Sequence, residues 1–311
     1  MEIEVVHRFK ETIPGVCPNL EGPHWDESTN TLLYVDFFVG RIHRWNPETK
    51  DNESIQLGIQ QGKILGFAVP ARKGGLIAAI GLTLSHVDWE TQKVTCLHEV
   101  NEDPKSNFND GKCDPRGRIW AGTFGELEDS NDLSKMDHIG HLYSLDVDGS
   151  ITERLDKIGI SNGLAWTQDT KTMYFVDSIP RKVYAFDYDI SDASIKRQRT
   201  VVEFKEDMGI PDGMTIDNEG KIWVAGFNGG KVFRFDPETG KQLQSIKIPA
   251  KRVTSCCFGG KNHDELYITS SLEGADEEET KSLPRSGSLF RVKGLGVKGF
   301  PSTIYEGPIK L

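Results

Sequence analysis

The segment DPRGRIWAGTF (residues 114–124) aligns without a gap onto DNEGKIWVAGF (217–227). Each is an Asp-x-x-Gly turn feeding an alternating strand, the pattern of a β-hairpin. Weaker copies of the same plan lie at 26–50, 70–92 and 167–189, and another starts at 259–271 and resumes at 287–294. The spacing is about 40–50 residues, the size of a four-stranded propeller blade. Six copies occupy the 311 residues. The chain therefore reads as all-β, a single six-bladed β-propeller domain over 1–311. A pair of β-sandwiches would not explain six copies. Strand patterns at 2–9 and 302–307 lie outside the copies. One or both should complete the last blade and close the ring.

Composition narrows the partners. The formal net charge is −10, which repels phosphate backbones and argues against nucleic acid. No apolar run approaches the roughly 20 residues of a membrane span. The five cysteines show no C-x-x-C spacing, so reduced thiols are expected rather than a disulfide framework or zinc ribbon. The first residues carry no basic-then-apolar leader pattern. The expectation is a cytoplasmic protein, a monomer or weak dimer, acting on a small molecule.

The repeat also serves as a ruler. The apolar residues before each first turn are Trp25, Val69, Cys113, Trp166, Ile216 and Phe258. Four residues earlier stand Glu21, Leu65, Asn109, Asn162, Asp212 and Thr254. Equivalent positions on the inner strands of a propeller face one another across its channel. Four of these six carry carboxylate or amide oxygens and a fifth is Thr. Such a ring suits a hard divalent cation. Aligning by the Asp-Gly pair instead would put Asp110 on the axis. The ungapped hairpin match favours Asn109 and leaves Asp110 as a neighbouring acid. His24 lies near the ring in sequence. Taken singly, Asp-Gly and Asn-Gly are also favoured turn pairs.

Three motif matches carry no chemistry. GISNG (159–163) matches G-x-S-x-G, but a strand pattern follows it where a nucleophile elbow needs a helix. GLGVKG (294–299) leaves only 12 residues, 300 to 311, for a dinucleotide fold. DVDG (146–149) reads as a hairpin turn rather than a calcium loop.

The motifs EGPHWD, FNDGKCDPRG, SNGLAW, IPDGMTID, SCCFGGKNHDELYITS and GLGVKGF together resemble the regucalcin family, also called senescence marker protein 30, along almost the whole chain. EGPHWD is also similar to insect members that regenerate luciferin. The resemblance implies a six-bladed propeller with one divalent metal in its channel. It implies hydrolysis of sugar lactones such as gluconolactone, with Ca²⁺, Zn²⁺, Mn²⁺ or Mg²⁺. By match, the metal ligands fall on Glu21, Asn162 and Asp212, and Asn109 contacts substrate. Asn107 stands where lactonases of the family carry Arg, and Leu127, after Glu126, falls where they carry a second acid. Losing a bidentate cation and a carboxylate weakens recognition of a polyol.

The expectation is thus a divalent-metal-dependent hydrolase of lactones or related esters, with Ca²⁺ favoured by the oxygen ligands. Asp212 is the first candidate for general base and Asp110 the second. Asn107, Asn109, Glu126 and His24 are the candidate substrate contacts. The polar segment 125–140 is expected to overhang the channel mouth. Conversion of oxyluciferin to a nitrile, or calcium binding without catalysis, are the alternatives.

Overall fold

A computed structural model describes residues 1–8, 17–126 and 138–309. The chain starts with β1 (Glu2–Arg8). Blade I holds β2 (Leu20–Asp26), β3 (Thr31–Asp36), β4 (Arg41–Trp45) and β5 (Asn52–Gln56). Blade II holds β6 (Leu65–Pro70), β7 (Leu76–Ile80), β8 (Thr83–Val87) and β9 (Val94–Glu99). Blade III holds β10 (Asn107–Cys113), β11 (Ile119–Phe124), β12 (Gly140–Leu145) and β13 (Ile151–Ile158). Blade IV holds β14 (Ser161–Trp166), β15 (Thr172–Asp177), β16 (Lys182–Asp189) and β17 (Ser194–Glu203). Blade V holds β18 (Ile210–Ile216), β19 (Ile222–Phe227), β20 (Lys231–Asp236) and β21 (Lys241–Lys247). Blade VI holds β22 (Arg252–Gly259), β23 (Glu265–Ser271) and β24 (Ser288–Lys293), with β1 as its outer strand.

The six sheets match the six-bladed reading. Closure comes from β1, which runs antiparallel to β24 and brings Glu4 within 2.6 Å of the Arg291 guanidinium. The segment around 302–307 does not join blade VI. Tyr305 instead makes a parallel bridge to Ala71, and Glu306 N donates to Gly117 O at 3.1 Å, tying the chain end across blades II and III.

The gapless repeat has a physical cause. Asp114 and Asp217 are wholly buried at the turn between the first two strands of their blades. In each turn one carboxylate oxygen accepts two backbone N–H groups and the other accepts the indole N–H of Trp120 or Trp223. The turn closes through Gly117 and Gly220, both at positive φ. DVDG is likewise the turn from β12 to β13, with Gly149 N donating to Asp146 O. Buried apolar side chains fill the spaces between adjacent blades, as sheet-on-sheet packing requires.

The innermost strands β2, β6, β10, β14, β18 and β22 surround the channel, and each carries a β-bulge. In blades III, IV and V the bulge leaves Asn109–Asp110, Asn162–Gly163 and Asp212–Gly213 out of the ladder. A bulge re-aims side chains that regular pairing would alternate. Gly163 and Gly213 have no positive φ. A Cβ on Gly213 would lie 1.9 Å from Ser255 Oγ, and one on Gly163 would lie 2.5 Å from Met214 N. These glycines are there because neighbouring inner strands touch, not to make turns.

Candidate functional site

Among the described residues, two cavities lie at opposite ends of the inner strands. At the end where the inner strands begin, a cavity of about 110 Å³ is lined by Glu21, Asn109, Asn162 and Asp212. Ser178, Asn19 and Glu273 add polar groups, and phenylalanines and isoleucines complete the wall. The four oxygen-bearing residues that the ruler selected thus converge from blades I, III, IV and V.

Their amides are anchored from behind. Asn162 Nδ2 donates to Ser178 Oγ at 3.1 Å, and Ser178 Oγ donates to Pro211 O at 2.7 Å. Asn109 Nδ2 donates to Ser161 O at 2.8 Å. With the nitrogen ends held by protein, each amide keeps an oxygen for the cavity. Burial holds the Glu21 carboxyl well above the usual carboxylate range, and the charges of Asp212 and Asp110 push it the same way. Burial and then the Asp110 charge hold Asp212 well up, against hydrogen bonds from Asn162 and Gly213. The half-buried Glu21 and the buried Asp212 beside two amide oxygens make a hard oxygen donor set, and a divalent cation would relieve the repulsion that helps raise the acids. Among the described residues, no three Asp, Glu, His or Cys side chains converge as a metal-holding group. The oxygen set rests on two acids and two amides.

Other candidates lie elsewhere. Asp110 is buried but does not line this cavity; its Oδ1 accepts the Gly111 N–H at 2.7 Å. Burial raises its pKa and the nearby Lys112 charge lowers it. Leu65 packs into the apolar core, and the Thr254 hydroxyl donates to Leu20 O at 2.6 Å, linking blade VI to blade I. Asn107 turns aside: its Oδ1 accepts Ile64 N at 3.3 Å and its Nδ2 donates to Lys105 O at 3.2 Å. Asn107 thus holds a backbone loop rather than facing the cavity. Glu126 is exposed and pairs with Lys105 Nζ at 2.5 Å. Leu127 and most of the 125–140 segment lie outside the described residues.

His24 faces the second cavity, about 280 Å³, where the inner strands end. Lys112, Trp166, Cys257 and Phe258 share that lining. Glu21 and His24 lie on either side of the β2 bulge and line different cavities. Burial pushes the His24 imidazole down to about 4, and its Nε2 has no partner. The larger cavity holds one cation and no carboxylate in its lining; the smaller holds the oxygen donors. The smaller cavity is therefore the candidate site.

The repeat period also positions residues of the cavity wall. Eleven residues beyond the anchors Cys113 and Ile216 stand Phe124 and Phe227, which wall the cavity. The same step from Trp25 and Trp166 reaches Asp36 and Asp177. Asp36 accepts the Asn19 N–H, and Asp177 accepts those of Gly159 and Ile160, fixing the approach to two inner strands. Phe37 and Ser178 follow them into the wall.

Residues 20–272 match the family described as SMP-30/Gluconolactonase/LRE-like region. Regucalcin of Danio rerio is 46% identical over 287 residues, covering 92% of this chain and 94% of that protein. A luciferin-regenerating enzyme structure superposes with a TM-score of 0.85 at 35% identity, covering 92% of this chain and 95% of the other. A regucalcin from Agrobacterium tumefaciens, described as a calcium-binding protein, gives a TM-score of 0.83 at 24% identity, with 92% and 93% covered.

Proposed function

The chain belongs to the SMP-30/gluconolactonase/LRE-like family, and from that premise we propose that it is a divalent-metal-dependent hydrolase opening lactones or related esters. The observation that carries this reading is the convergence of Glu21 and Asp212 with Asn109 and Asn162 in one cavity. Glu21, Asn162 and Asp212 would hold the ion, and the all-oxygen set favours Ca²⁺. When bound, such an ion polarises an ester carbonyl and acidifies water.

The remaining work falls to the protein. The Asn162–Ser178–Pro211 chain keeps the Asn162 amide fixed beside Asp212. Asp212, which lines the cavity, would act as the base, and Asp110, whose charge acts on Asp212, would be the second acid. Asn109 would orient the substrate carbonyl. Chelator-stripped protein should be inactive on a lactone panel and recover with Ca²⁺ or Mn²⁺. Retention of both metal content and lactone hydrolysis by Asp212→Ala would overturn the proposal.

Similarity to the luciferin-regenerating structure favours a second reading, nitrile formation from oxyluciferin. Absence of nitrile after incubation with oxyluciferin removes it. A third, calcium binding without catalysis, predicts tight Ca²⁺ binding and no turnover of any lactone.

A further inference from the structure

The wall above the oxygen set is apolar. Phe37, Phe38, Phe124, Phe227, Ile160 and Ile210 all line the cavity. Phe37, Phe38, Phe124 and Ile160 belong to one packed cluster, with the Phe37 and Phe38 rings edge to face at 5.0 Å. Phe38, Ile160, Ile210 and Phe227 are only half-buried. All four line the one cavity, and gathered apolar surface marks a ligand groove.

The polar groups say what the cavity would refuse. Its described lining includes the carboxylates of Glu21, Asp212 and Glu273 and no Lys, Arg or His. With a divalent ion offset by Glu21 and Asp212, the Glu273 carboxylate is left to repel an anionic ligand. Donors for hydroxyl groups are scarce as well. The Asn109 and Asn162 amides each spend one N–H on protein and the Ser178 hydroxyl donates to Pro211 O, which leaves Asn19 as the remaining amide of the lining. Asn107 and Glu126 are committed to Ile64, Lys105 and loop backbone. A hydroxyl brought against the phenyl wall would lose water and gain no partner.

We infer that the substrate is a neutral lactone or ester with an apolar body of ring size, in preference to a polyol or an anionic lactone. This rests on the hydrolase reading above. The carbonyl would face the oxygen set while the body packs on Phe38 and Phe227.

The test compares kcat/KM at saturating metal for a phenyl-fused δ-lactone (dihydrocoumarin), D-glucono-δ-lactone and a carboxylate-bearing lactone. The aryl lactone should lead by about tenfold or more, the scale at which apolar pockets discriminate. Gluconolactone equal or better overturns the inference and leaves the hydrolase reading intact. Calorimetry with the corresponding lactams separates binding from turnover. If no lactone is hydrolysed but the aryl lactam binds about tenfold tighter, the hydrolase reading fails and the apolar cavity stands. No hydrolysis and no lactam preference overturns both. Phe38→Ser with Phe227→Ser should cut the aryl-to-gluconolactone ratio of kcat/KM by about tenfold. An unchanged ratio assigns the wall a packing role alone and overturns the inference.

Discussion

Asp212→Asn separates the ion-binding role of this side chain from a structural one. The amide keeps the size of the carboxylate and can still accept a hydrogen bond from Asn162, so the Ser178–Pro211 chain is undisturbed. A ligand at 1,000 times its dissociation constant stabilises the folded state by about 4.1 kcal/mol. For 311 residues, an unfolding entropy of about 2.1 cal/mol/K per residue gives ~0.65 kcal/mol/K in all, so the shift in Tm is ~6 °C. Wild-type protein, stripped with chelator and titrated with Ca²⁺ in a calorimeter, should show that rise. Asp212→Asn should show less than about 1 °C, because one of the two carboxylates that offset the ion is gone. In chelator the ordering reverses. Burial and the Asp110 charge both disfavour ionised Asp212, so the neutral variant should melt at or above the wild type. A variant that keeps the full Ca²⁺-dependent rise would refute the assignment. So would one that melts several degrees lower in chelator, which would mark Asp212 as a structural residue.

Asp114→Ala should cost about 3–5 kcal/mol in urea unfolding, because it strands a buried Trp120 indole N–H, the Tyr188 hydroxyl and part of Arg118. A loss below about 1 kcal/mol would contradict the reading of this turn as the anchor of its blade, and Asp217→Ala is the matching test in blade V. His24 has a folded pKa of about 4 against an ordinary 6.5. As pH falls through that window the unfolded chain takes the proton first, so stability declines by about 2 kcal/mol between pH 7 and pH 5 from this residue. His24→Gln should flatten the profile by that amount; an unaltered slope means His24 is not the group responsible. Burial raises Asp36 to about 6, which acts in the opposite direction, gaining stability as pH falls from about 6 toward 4. Removing residues 1–8 should expose the edge of β24 and deprive Arg291 of Glu4, producing association on size-exclusion chromatography. A truncated protein that stays monodisperse and melts within about 2 °C of the full chain would show that β1 does not close the ring.

The periodic turns determined the architecture from the sequence alone. Asp114 and Asp217 each bond the backbone of their own turn and the Trp six residues on, so the motif is local and recurs in blades III and V. The same periodicity placed Glu21, Asn109, Asn162 and Asp212 at one level, since equivalent residues of a closed ring share a height on its axis. Which equivalent positions reach the cavity was decided by tertiary structure. Bulges turn Asn109, Asn162 and Asp212 inward, while Leu65 stays in the core and Thr254 bonds to the next blade. Gly163 and Gly213 look like turn residues in the sequence, yet their cause is the contact between inner strands hundreds of atoms apart along the chain. Asn107 and His24 lie within three residues of site residues, but strand geometry sends one into a loop and the other to the far cavity. The apolar wall is assembled from four blades, and no local stretch of sequence contains it.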